Sequence, residues 1–315
     1  MTAEREQLDV LAFSVRRSAL RERLLAFYDA LYAHFGHEPH WWPIVSDTPQ
    51  FEILVGAVLV QQTRWETVEA AVVRLRDAGL LSPAAIVDAD TAALAALVRP
   101  CAFHAQKAPG LQAICRHIVR RYGGGLAAML ARERAPLRAE LLALPRIGPE
   151  TADTIMLYAG GHPVFVVDAY ARRLFARLDL APGFDFTRAR YEAIQELVEG
   201  ALNPWVEIGE SRGVGGSERA GEREYEWPAH SLTPLLPYSR STVDGSLRHF
   251  LWDFHALIVE ECIHHCLASR PRHDLPGARR TFVDPRKCAE HCLECQGCPL
   301  RAMCGLYQNR QDAKA

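Results

Sequence analysis

Apolar residues return at the helical period along almost the whole chain, and this pattern excludes most folds before any motif is read. Between Leu20 and Phe35 they fall at Leu20, Leu24, Leu25, Tyr28, Leu31, Tyr32 and Phe35, the one-face spacing of an amphipathic helix. Thr48-Pro49 reads as a cap with proline in the first turn, opening a buried helix through Val60. Further helices are expected over Glu66–Ala78, stopped by Gly79, over Ala105–Tyr122, stopped by Gly123-Gly124-Gly125, and over the short run Leu137–Leu142. Pro149 to about Ala159, Ala169–Leu178, Arg188–Leu202 and Ser246–Cys266 complete the set. His162–Val167 reads as a strand, but it is too short and isolated to build a sheet. The expected fold class is all-α.

With 315 residues, 49% of them hydrophobic, the chain has core material for one large domain or two ordinary ones. Its charged fraction of 23% and its lack of repeats exclude disordered, collagen-like and coiled-coil classes. The N-terminus is charged and lacks a signal pattern, and the apolar run Ile53–Val60 is far too short to span a membrane. A soluble cytoplasmic monomer is the expectation. The net charge of −2 conceals an uneven distribution. Six basic residues between Arg270 and Lys287 face two aspartates, a tract suited to a polyanion. Val206–Glu226 holds six Glu, three Arg and five Gly, and reads as a solvated insertion within 206–245. Lysine is scarce: Lys107, Lys287 and Lys314 stand against 33 arginines.

Nine cysteines in a chain without a secretory signal do not read as a disulfide framework. Five of them fall between Cys288 and Cys304, four in the pattern Cys288-x6-Cys295-x2-Cys298-x5-Cys304, and such a set can hold zinc or a [4Fe-4S] cluster. Cys262 and Cys266, beside His264 and His265, form a quartet that could bind metal but reads first as the end of a core helix. Leu144-Pro145-Arg146-Ile147-Gly148-Pro149-Glu150-Thr151-Ala152 joins two helices by a tight turn, and a helix start of this kind offers backbone N–H groups to phosphate. Asp168 follows Glu150 by 18 residues and caps the next helix. Trp41-Trp42-Pro43 precedes one buried helix and Trp65 follows it, an arrangement that serves packing or the stacking of a base.

The cysteine spacing resembles the iron–sulfur loop of the endonuclease III superfamily of DNA glycosylases. The hairpin and the aspartate after it resemble the helix-hairpin-helix and catalytic aspartate of the same superfamily. The resemblance covers roughly Trp41–Leu178 and Phe250–Cys304. It implies a [4Fe-4S] cluster on Cys288, Cys295, Cys298 and Cys304, with Cys292 an extra cysteine. It implies catalysis at Asp168, with Glu150 as a second candidate, and DNA contacts from Gln62, Arg146, Ile147, Gly148 and Thr151. Arg146 stands where the family usually has glycine, so it must accept a strained turn or a shifted hairpin, and it could itself touch phosphate. Glu150 stands where bifunctional members carry a nucleophilic lysine, and no lysine occurs from residue 108 to residue 286. A carboxylate cannot form a Schiff base, so strand cleavage is not expected.

The Trp-Trp-Pro segment is similar to the monofunctional branch that excises 3-methyladenine, which implies a base pocket of Trp41, Trp42 and Trp65 and a gap-filling Gln62. The expected partner is double-stranded DNA containing a damaged base. The expected architecture is two helical domains with a cleft between them, Asp168 at its floor. Residues 45–158 would carry the pocket and hairpin, and 1–44 with 159–315 would form the iron–sulfur domain. The alternatives are a glycosylase for oxidised pyrimidines with weak or no lyase activity, and a non-catalytic DNA-binding protein that keeps the fold.

Overall fold

The computed structural model describes residues 2–36, 41–202, 243–266 and 298–312. Among these every regular element is helical. The helices are α1 Thr2–Phe35, α2 Pro49–Leu59, α3 Trp65–Asp77, α4 Pro83–Asp88, α5 Thr91–Leu97, α6 His104–Tyr122, α7 Leu126–Leu130, α8 Arg134–Leu142, α9 Pro149–Thr154, α10 Ala169–Leu178, α11 Tyr191–Leu202, α12 Val243–His264 and α13 Gly305–Asp312. No helix of the described residues is long and apolar enough to cross a membrane. The insertion at 206–226, the basic tract at 270–287, and Cys288, Cys292 and Cys295 lie outside the described residues.

The described residues divide into two compact units. One is drawn from Pro39–Val166 and Ala229–Trp252. Its centre is α2, buried from Phe51 to Leu59. Thr48 precedes Pro49 at its start, yet the threonine hydroxyl donates to the Leu81 carbonyl at 3.1 Å instead of capping the helix. Gly123, at φ +60°, ends α6 in the left-handed conformation that glycine adopts without steric cost. After Thr154 the helix widens into a π-turn over Ile155–Ala159, closed by the Gly160 amide on the Ile155 carbonyl at 3.0 Å. Hydropathy did not foreshadow that widening, because all five residues are buried and fit any helix. His162–Val167, the expected strand-like run, has no regular structure.

The other unit is drawn from Met1–Glu38, Val167–Pro228 and Asp253–Ala315. Leu24, Phe27 and Leu31 of α1 are fully buried. Phe27 meets Phe254 of α12 and Phe175 of α10 edge to face, with ring centroids 5.3 and 6.0 Å apart. Leu25, which the periodicity puts on the same face, is only half-buried.

Candidate active site

The hairpin is built from α8, the turn at 143–148, and α9. Arg138 of α8 grips Asp153 of α9 with two hydrogen bonds, 2.7 and 3.1 Å, and that carboxylate is completely buried. A paired, forked contact of this kind fixes geometry as well as charge. Glu140, on the same helix, accepts from the Tyr122 hydroxyl at 2.8 Å and meets His117 Nε2 at 2.6 Å. The first helix is thereby anchored to α6 and its end. Ile147 is buried under the turn, Gly148 is exposed, and the first turn of α9 carries exposed Glu150 and buried Thr151.

Arg146 does take the strained conformation that replacing glycine demands, with φ +67°. Its side chain lies on α6, where Nη1 donates to Gln106 Oε1 at 3.2 Å and Cγ sits so close to Gly110 that a Cβ there would be 2.7 Å away. Gln61 holds the turn from the other side. Its amide nitrogen donates to the Arg146 carbonyl at 2.7 Å and to Thr151 Oγ1 at 3.0 Å. Sequence reading passed over Gln61 in favour of Gln62. Gln62 is exposed and left-handed, at φ 54°, between α2 and α3.

Among the described residues Lys107 is the one lysine, and it lies near this turn. Its ammonium is fully buried and donates to the carbonyls of Leu59 and Gln61, at 2.8 and 2.7 Å, and to Thr63 Oγ1 at 3.2 Å. A cation at the C-terminal end of α2 satisfies carbonyls that the helix leaves unpaired. Burial pulls its pKa below the ordinary lysine value. It is a structural amine, and the scarcity of lysine was the only hint of it in the sequence. Thr63 Oγ1 also accepts the Ala102 amide at 3.0 Å, which brings the next residue, Phe103, alongside this turn. Phe103 is left-handed (φ 58°) and 49% exposed, an unusual state for so large an apolar side chain.

The tryptophans expected to receive a base do come together, in company with two aromatics that sequence reading missed. Trp41 stacks on Tyr158 (5.6 Å, 29°), Trp42 meets Trp65 edge to face at 5.1 Å, and Tyr158 packs on Trp252 at 4.6 Å. Tyr158 comes from the π-turn and Trp252 from α12, so no local motif links them to Trp42. Buried Glu52 pins the segment after the tryptophans, accepting the Val45 amide at 2.9 Å and the Ser46 hydroxyl at 2.6 Å. Beside Trp42 and Trp65 lies a small cavity of about 10 Å³, partly open to solvent and also lined by Glu52, Glu69 and Val72. The Trp42 indole N–H is buried without a hydrogen-bond partner.

Asp168 precedes α10 and is 7% exposed. Its Oδ1 accepts the Ala171 amide at 2.7 Å, the geometry of an N-cap. Its Oδ2 faces His255 Nε2 of α12 at 3.6 Å. The amide of Val167, just before it, donates to the Tyr191 hydroxyl at 3.2 Å.

Of the four expected cluster ligands, Cys298 and Cys304 are described. Cys298 Sγ donates to Glu261 Oε1 at 3.1 Å, and Cys304 Sγ reaches the Arg177 carbonyl at 3.6 Å. Cys266, just past the end of α12, accepts from Arg177 Nη1 at 3.2 Å. A hydrogen bond from Cys262, with Arg177 beside it, holds the Cys266 thiol below its ordinary pKa, while burial pushes Glu261 up to about 8. Among the described residues no group of three ligand-type side chains is arranged to hold a metal ion.

Comparison with known proteins places this arrangement. The family described as HhH-GPD superfamily base excision DNA repair protein matches residues 55–200. A Methanocaldococcus jannaschii protein, named as a candidate DNA repair glycosylase, is 38% identical over 188 residues, covering 59% of this chain and 82% of that protein. Endonuclease III homolog 2, chloroplastic, of Arabidopsis thaliana is 30% identical over 51% of this chain and 39% of its own length. Among solved structures, H. pylori 3-methyladenine DNA glycosylase bound to 1,N6-ethenoadenine matches with a TM-score of 0.55 and 25% identity, over 76% of this chain and 95% of that one. The chain belongs to the HhH-GPD superfamily and is a base-excision-repair DNA glycosylase.

Proposed function

We propose that the enzyme is monofunctional: it flips an alkylated purine such as 3-methyladenine out of duplex DNA and hydrolyses its N-glycosidic bond without cutting the strand. The observation that carries this reading is the aromatic cluster of Trp41, Trp42, Trp65, Tyr158 and Trp252. Electron-rich ring faces favour a purine that alkylation has made electron-poor or cationic. The rings now pack on one another, so a base enters by displacing at least one of them. The exposed side chains of Gln62 and Phe103 are suited to fill the gap that the flipped base leaves. The hairpin holds phosphate through the amides at the start of α9, and Arg146 steadies the turn from α6.

Asp168 carries the chemistry. As the glycosidic bond breaks, positive charge builds on the sugar, and a fixed carboxylate stabilises it or draws a proton from the attacking water. Glu150 offers no amine, and Lys107 is committed to three acceptors, so no lysine of the hairpin unit attacks C1′. Glu150 itself acts through charge at the start of α9. The test is a panel of duplexes, each with one defined lesion. Release of 3-methyladenine with no borohydride-trapped adduct is expected. Release of oxidised pyrimidines alone, or a strong adduct, would overturn the reading.

Cys288, Cys295, Cys298 and Cys304 are proposed to hold a [4Fe-4S] cluster. The donor set fits: thiolates are the ligands such clusters take, and Cys298 and Cys304 flank a single turn of 3₁₀-helix, Arg301–Met303. Its contribution when bound is to brace the C-terminal loop. The alternative first ligand is Cys266, the described cysteine just past the end of α12. Iron content decides: Cys288→Ser should lose the cluster and Cys266→Ser keep it, and the reverse outcome moves the first ligand to Cys266.

A further inference from the structure

The helix α12 buries three polar side chains, Asp253, His255 and Glu261, and the last of these accepts from Cys298 Sγ at 3.1 Å. Asp253 is accounted for by the Tyr28 hydroxyl, 3.5 Å from its Oδ2. His255 is 6% exposed, between Phe254 and Ala256 in an otherwise apolar run. A histidine there loses hydration that an aliphatic residue would not miss, so its position calls for a polar reason.

That reason is next to it. Cys262, seven residues on and so on the same helical face, reaches the Tyr170 carbonyl at 3.5 Å, and one turn further the Cys266 carbonyl accepts from Arg173 Nε at 2.9 Å. This face of α12 therefore follows the first turns of α10, and His255 falls opposite the cap. Of the two Asp168 oxygens, Oδ1 is committed to the Ala171 amide. Oδ2 is the one left for chemistry, and it is the one that His255 Nε2 faces at 3.6 Å. A carboxylate held at one oxygen still pivots about that bond. A donor at the second oxygen stops the pivot and aims the remaining lone pairs, and such catalytic contacts shorten when substrate is bound.

We propose that His255 is a positioning residue for Asp168: its Nε2–H orients the Oδ2 oxygen so that the negative charge meets the sugar as the glycosidic bond breaks. The proposal rests on Asp168 being the essential carboxylate of the glycosylase reading. It differs from a packing role in requiring a donor at the Nε2 location and not merely a side chain of the right volume.

Two polar variants separate those roles. In His255→Gln the amide nitrogen takes the Nε2 location; in His255→Asn it falls one carbon short. Each is compared with the wild type by thermal melting, by the single-turnover rate of base release from a duplex with one 1,N6-ethenoadenine or 3-methyladenine, and by affinity for a duplex with a tetrahydrofuran abasic analogue. The Asn variant should release base about tenfold more slowly or worse, with affinity for the analogue within about twofold, and the Gln variant should stay near the wild-type rate. An Asn variant as fast as the wild type, or Gln and Asn variants equally slow, would overturn the proposal. If the Asn variant does not melt like the wild type, the Gln variant alone decides: a slow, well-folded Gln enzyme overturns it, and a fast one supports it. A wild-type protein that releases no base from either duplex condemns the glycosylase reading instead, so the two failures are distinguishable.

Discussion

Whereas Asp168 takes its first hydrogen bond from a residue three positions along the chain, the turn at Arg146 is held by Gln61, 85 positions earlier. The cap at Asp168 forms wherever a helix begins after an aspartate, and it needs little else. The hairpin turn needs Gln61, Gln106, Gly110 and the buried Lys107 together. A local device holds one carboxylate oxygen of Asp168 and leaves the other facing His255, which suits the catalytic role proposed for it. A distributed device ties the turn to residues far away in sequence, which suits the DNA-binding surface proposed for it.

Asp168→Asn separates charge from capping with the largest effect. Asparagine caps a helix as well as aspartate, so melting should not change, while base release should fall by about a hundredfold or more. A large drop in melting temperature would show that the charge, and not the cap, maintains the corner. Lys107→Met probes the opposite case. It strands the carbonyls of Leu59 and Gln61, and the loss should approach about 3 kcal/mol of stability in a denaturant titration. A change below about 0.5 kcal/mol would mean that water replaces the ammonium freely.

Gln61→Ala removes two donors from the turn and should cost about 1–2 kcal/mol, with weaker binding to undamaged duplex. Stability lost without any change in affinity would uncouple the turn from the DNA face. Glu150→Lys should have the smallest effect. A lysine in the first turn of α9 should yield a faint borohydride-trapped adduct where the wild type gives none, and melting should hardly move.

How much of this was legible beforehand follows the same division. The helices were readable because apolar periodicity and caps act within a few residues, and the Ala169–Leu178 boundaries agree with the structure residue for residue. Asp168 and the tryptophans were singled out from sequence, and the structure packs Trp41, Trp42 and Trp65 against one another. What remained hidden is set by contacts distant in sequence. Tyr158 joins the cluster through a π-turn that no residue pattern announces. Trp252 arrives from a helix 94 residues later, to which Tyr158 donates its hydroxyl hydrogen. His255 was invisible because a histidine within an apolar helical run has no sequence signature until its neighbour across the packing is known.

The closeness of Arg146 to Gly110 ties two distant positions into one evolutionary unit. Any side chain at 110 would collide with Arg146 Cγ, 2.7 Å from where its Cβ would stand. A glycine at 146 would relieve both that collision and the left-handed strain. Homologues should therefore drift along a narrow path. Those with glycine at the turn are free to enlarge position 110, and those with a long side chain there are bound to keep it bare. The reverse order of substitution passes through a clashing intermediate, so the glycine in the turn must come first.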